Sequence, residues 1–162
     1  MTIKSNMRFL LAAALLAGSL PGASSAQGTS VWTAKVNGSF VTLTYGSLDP
    51  DESPLVMLAC FNGMGIAVLN VHADLSETKP GTPLAIEFTS DGLTAAVEGE
   101  AGRDEPGDPV FGEATDVAVK PILDVLRSDG PVTVKVGAVS AELSGHGRAQ
   151  AVEQFTKDCS LD

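Results

Sequence analysis

The sequence predicts an α+β fold: a mainly antiparallel β sandwich or half-barrel of about eight or nine strands, two helices in the C-terminal half and one disulfide. Three observations predict it. Short runs alternate apolar and polar residues and are separated by tight-turn dipeptides. The apolar spacing lengthens to a helical period twice, both times late in the chain. The only two cysteines, Cys60 and Cys159, lie at the end of the most continuous apolar run and near the chain end.

Taken in order, Trp32, Ala34 and Val36 alternate with polar neighbours, and Val41, Leu43 and Tyr45 do the same. Asn37-Gly38 between them predicts a hairpin with a type I′ turn, because both residues tolerate positive φ. Asn37-Gly38-Ser39 also spells a glycosylation sequon, read as chance in a tight turn. Residues 46–54 form a loop carrying Asp49, Asp51 and Glu52. The run Leu55 to Phe61 shows no polar alternation, which predicts a strand covered on both faces. Asn62-Gly63-Met64-Gly65 turns the chain into a returning strand, Ile66 to His72. It precedes a strand rather than a helix, so it is no phosphate cradle. Leu84, Ile86 and Phe88, then Leu93, Ala95 and Val97, flank Ser90-Asp91-Gly92 as a second hairpin. Residues 98–107 read as an exposed acidic loop with Glu98, Glu100, Asp104 and Glu105, followed by Asp108 and a short strand at Val110-Phe111.

Val119, Ile122, Leu123 and Leu126 then fall on one helical face. Pro121 suits a first turn and Gly130 a position past the end. Val132, Val134 and Val136 alternate, as do Val139, Ala141 and Leu143 after Gly137-Ala138. Ala151, Val152, Phe155 and Cys159 form the apolar stripe of a closing helix. Each helix is apolar on one side, so each must lie on the sheet. No internal repeat or linker divides the chain.

Residues 1–26 read as a signal peptide. Lys4 and Arg8 are basic, Phe9 to Ala17 is apolar, and Ser24-Ser25-Ala26 offers small residues before a cut. No cysteine follows Gly18, where a lipid-anchored protein would carry one, and no later run is long enough to span a bilayer. The expected product is one periplasmic or secreted domain, 27–162. It keeps eight basic against twenty acidic residues, a net charge of −12. That balance excludes nucleic acid and anionic membrane as partners, since both require clustered Lys and Arg. It permits a cationic partner or a divalent metal. An export signal with two cysteines implies an oxidising compartment and a Cys60–Cys159 bridge. There is no Cys-x-x-Cys spacing to support a metal or redox pair.

No chemical motif stands out. Ser144 and His146 could supply a nucleophile and base, but no orienting third group is visible, so the segment reads as a helix start. His72 reads as a strand-end or surface histidine. Paired carboxylates for glycoside hydrolysis are a spatial matter that the sequence leaves open. The acidic loops lack EF-hand spacing. No catalytic residue, metal or cofactor is therefore expected. Asp49, Asp51, Glu52, Glu98, Glu100, Asp104, Glu105 and Asp108 are the candidate surface for a basic protein partner, such as a cell-envelope hydrolase. A divalent-metal protein using those loops is the alternative, and a small hydrolase ranks behind it.

The order of features resembles the periplasmic accessory proteins of type VI secretion known as TagO or VasI. The matching pieces are Trp32, Leu55 to Cys60, Pro121 to Leu126, Val132 to Leu143 and Ala149 to Cys159. The resemblance implies an accessory, non-catalytic role, with no catalytic residues to carry over.

Overall fold

The computed structural model describes residues 29–61 and 67–159. The expected signal peptide and the turn at 62–65 lie outside the described residues. Nine strands form a single antiparallel open sheet: β1 (Val31–Asn37), β2 (Phe40–Gly46), β3 (Val56–Phe61), β4 (Ala67–Val71), β5 (Pro83–Ser90), β6 (Leu93–Gly102), β7 (Phe111–Thr115), β8 (Val132–Val136) and β9 (Val139–Leu143). Two helices, α1 (Val119–Leu126) and α2 (Arg148–Asp158), complete the elements of the described residues. The order across the sheet is β1-β2-β3-β4-β7-β6-β5-β8-β9.

Turn chemistry fixes the hairpins. Asn37 pairs with Phe40, so the first turn is Gly38-Ser39 and not Asn37-Gly38. Of its two central residues only Gly38 has positive φ, the type II′ pattern rather than the expected I′. The I′ pattern occurs instead at Asp91-Gly92, where both residues have positive φ. That sharp reversal lets Ser90 pair with Leu93.

Alternation puts one residue in two on the buried face. Trp32, Tyr45, Val56, Val71, Gly112 and Ala101 are successive cross-strand partners in one row. All of them are buried. Leu43, Leu58, Leu69 and Ala114 make a second buried row. The run in β3 departs from expectation: Val56, Leu58 and Cys60 are buried, but Met57, Ala59 and Phe61 are partly exposed. An antiparallel sheet can leave one face to water, and here the outer face of β3 carries apolar residues that are partly exposed.

Both helices close over the buried face. α1 packs on β5 and β6 through Val119, Ile122, Leu123 and Leu126. α2 packs on β1 and β2 through Ala151, Val152 and Phe155. Cys60 and Cys159 are joined with their Cα atoms 6.2 Å apart, tying β3 to the end of α2. Gly130 does not cap α1. Arg127 caps it, and the Gly130 amide donates to Asp91 Oδ2 at 2.8 Å.

The sheet is strongly bent. β7 and β8 are separated by β6 and β5, a spacing of roughly 14 Å in a flat sheet. Yet a Cβ placed on Gly112 would lie 2.8 Å from Val136 Cγ1. The two ends of the sheet also meet. Trp32 N–H donates to His146 O at 3.0 Å, and Trp32 Nε1–H donates to Ser144 O at 2.8 Å. Ser144 N–H donates to the Tyr45 hydroxyl at 2.9 Å.

Candidate functional site

The loops after β2, β4 and β6 leave the same end of the sheet, just beyond the row Tyr45, Val56, Val71, Gly112 and Ala101. The first carries Asp49, Asp51 and Glu52, the second Asp74 and Glu77, the third Asp104, Glu105 and Asp108. Register alone brings these distant segments to one end. Apart from Lys79 and Arg103, the side chains that ionise there at neutral pH are carboxylates.

Some of these carboxylates shape their own loops. Asp49 Oδ1 accepts the Asp51 amide at 3.0 Å, and the Asp49 carbonyl accepts the Glu52 amide at 3.2 Å. Asp108 Oδ2 accepts the Glu105 amide at 3.1 Å, and Asp108 N–H donates back to the Glu105 carbonyl. Such side-chain to backbone bonds stiffen a turn at little cost to solvation. The Ser76 hydroxyl and amide hold the Asp74 carboxyl below the usual range. Asp51, Glu52, Asp104 and Glu105 are exposed, and among the described residues none of them takes part in an ion pair.

Between the first and third loops sits His72, immediately after β4. Its amide donates to Leu55 O at 2.8 Å and its ring lies 4.8 Å from that of Phe111. Burial pushes its pKa down, and the Asp104 carboxylate opposes that in part. His72 is thus a half-buried spacer between loops, not a freely solvated strand-end group. Leu48, beside Asp49, is 72 % exposed, the most exposed large apolar side chain among the described residues.

Two of the expected site residues are placed otherwise. Glu98 and Glu100 belong to β6, which runs on to Gly102, so the expected loop at 98–107 begins only after that residue. Small residues hid this strand from a propensity reading. Gly99 is required there, because a Cβ would meet Glu113 O at 2.3 Å. Glu100 lies directly opposite Glu113 across β6 and β7. These glutamates flank the acidic end on strands rather than belonging to its loops. Asp49, Asp51, Glu52, Asp104, Glu105 and Asp108 are all loop residues, as expected. Asp74, Leu48 and His72 were missed, and only the sheet register assigns them to the same end.

Other chemistry is not assembled. Ser144 Oγ donates to Ser30 O at 3.2 Å, and His146 is exposed with no hydrogen bond from its ring among the described residues. Among the described residues no group of three or more His, Cys, Asp or Glu side chains is placed to hold a metal ion. No helix among them is long and apolar enough to cross a membrane. Compared with known proteins, the chain matches no family model, no curated sequence and no solved structure.

Proposed function

We propose that the chain is an exported, non-catalytic accessory protein of the periplasm that binds a basic protein, such as a cationic cell-envelope hydrolase, through the acidic end of its sheet. The observation that carries this reading is the convergence of loops 47–55 and 103–110 on one sheet end, with exposed carboxylates in both and an exposed Leu48 beside Asp49. Carboxylates in excess over Lys79 and Arg103 raise the local concentration of a cationic partner and steer its approach. An exposed leucine among them offers the apolar anchor that charge alone lacks. Residues 1–26 and the disulfide favour export. The resemblance to type VI accessory proteins is consistent with a binding role. We read the sheet as a half-barrel rather than a sandwich, because Gly112 approaches Val136 across two strands and the sheet ends share hydrogen bonds.

The test is capture of basic envelope proteins by the purified protein, followed by affinity measurement at two salt concentrations. Replacing Asp51, Glu52, Asp104 and Glu105 by their amides should weaken binding by roughly 10-fold or more and flatten its salt dependence. Leu48→Ala should weaken binding without changing that dependence. If the amide variant binds the same partner equally well, the acidic end is not the interface.

A further inference from the structure

An open sheet has two edges, and β1 is one of them. Its main-chain groups point alternately toward β2 and away from it. The Trp32 amide donates to His146 O, away from β2. Asn37 and Phe40 close a two-residue turn, so they face each other as a hydrogen-bonded pair. Both observations set the same phase. Thr33, Lys35 and Asn37 bond to β2, while Trp32, Ala34 and Val36 turn their amides and carbonyls outward. The segment after β9 takes up the Trp32 amide. Among the described residues nothing bonds to the main chain of Ala34 or Val36.

Room lies beside these groups. A groove of about 270 Å³ runs between β1 and α2, lined by Thr33, Ala34, Gln150 and Gln154 among others. Thr33 and Ala34 point to opposite faces of the strand, so a space that touches both lies along its edge. The other edge of β1 is covered by β2. Natural sheets blunt such edges with proline, bulges or charge. β1 has no proline, and its seven residues pair with β2 in unbroken register. Lys35 is the one charged side chain on β1 and β2. It is exposed and makes no ion pair among the described residues. Val36 shares a face with the buried Trp32, yet it is 56 % exposed.

We propose that the β1 edge binds an extended segment of another protein by strand addition, and that this segment alternates apolar, acidic, apolar. Running antiparallel, the segment exchanges two pairs of main-chain hydrogen bonds with Ala34 and Val36. Its middle residue stands opposite Lys35 on the outer face, where a carboxylate is favoured. The two neighbours stand opposite Ala34 and Val36, and the one beside Val36 covers that exposed side chain. A second copy of this chain fits worse. Pairing Ala34 of one copy with Val36 of the other sets the two Lys35 side chains opposite each other. Centring the pair on Val36 instead runs Ala34 into the turn at Gly38. Each copy also brings a large negative charge. The edge is separate from the acidic loops, so the proposal stands whether or not those loops bind a basic protein.

The probe is the blocked pentapeptide Thr-Val-Glu-Val-Thr, titrated into the purified protein and followed by amide NMR. Saturable shifts are expected at Ala34 and Val36, with slower amide exchange at both. N-methylation of the two valines keeps their side chains but removes two donors, and should weaken binding by roughly 10-fold or more. Lys35→Glu should weaken binding of the glutamate peptide by roughly 2- to 5-fold and favour a peptide with lysine at its centre. Ala34→Pro removes an amide that points away from β2, so the hairpin keeps its ladder while binding falls by roughly 3-fold or more. If that variant does not fold, the N-methylated peptide and Lys35→Glu decide. The proposal is overturned by shifts that do not saturate or that lie away from β1, or by equal binding of the N-methylated peptide. It is also overturned by binding that Lys35→Glu leaves unchanged, or by concentration-dependent dimers that bury the same edge.

Discussion

At the scale of single residues, His72 has the clearest consequence. Burial lowers its pKa, and Asp104 counters this only in part. The unfolded chain, with an ordinary histidine pKa near 6.5, therefore binds more protons than the folded one just below that pH. Stability from this residue is complete above about pH 6.5 and is lost as pH falls through the depressed folded value. The urea midpoint of the native protein should drop between pH 7.5 and 5 by more than that of His72→Gln. Relief of carboxylate repulsion acts on both proteins and cancels in the comparison. A gap between the two midpoints that is constant over this range would refute the assignment. Gly112 makes a second case. Gly112→Ala drives a methyl into Val136 and should cost about 1–3 kcal/mol, as overpacking does. Because one contact causes the loss, Val136→Ala in the same chain should recover part of it, and the double variant should be more stable than the sum of the single effects. Additive losses in chemical denaturation would show that β7 and β8 do not touch in solution.

At the scale of elements, α2 depends on its tether. Its apolar stripe is short, and its buried positions include the charged Arg148. The bridge joins residues 99 apart in sequence, so reduction frees a long loop in the unfolded chain. Replacing both cysteines by Ala should cost about 3–5 kcal/mol on the chain-entropy account. Amide exchange should then rise in α2 before it rises in α1, which lies on β5 and β6 independently of the bridge. Equal protection of both helices would contradict that order. Most elements were legible because their apolar period and turn residues agreed. The helix at Val119 and the Asp91-Gly92 hairpin are examples, and both cysteines lie on apolar faces as the pattern implied. The errors have two causes. The ends of β6 and β7 are built from Gly99, Gly102 and Gly112, which lower strand propensity while serving close backbone approach. In β3 the apolar residues at Met57, Ala59 and Phe61 mimicked full burial, although all three keep part of their surface exposed.

At the scale of the whole molecule, the candidate site was legible as charge but not as place. Asp49 to Glu52 and Asp104 to Asp108 can be read from the chain. That they share one sheet end depends on β4 pairing with β7, a contact between segments distant in sequence that no local signal reports. Long-range closure is also concentrated at Trp32, whose amide and indole both bond to the segment after β9. Its ring lies 5.1 Å from that of Tyr45, whose hydroxyl accepts the Ser144 amide. The chain's only tryptophan thus reports whether its first strand and last connection are joined. If closure belongs to the same cooperative unit as the sheet, the unfolding transition seen by Trp32 fluorescence should coincide with that seen by far-ultraviolet circular dichroism. Trp32→Phe, which removes the indole donor and leaves the Ser144 carbonyl to be satisfied otherwise, should lower stability by about 1–3 kcal/mol while keeping the transition single. A fluorescence change that precedes the loss of sheet would mean that the meeting of the two sheet ends is a separate, weaker event. The acidic loops would then be carried by a sheet that holds its register without being closed.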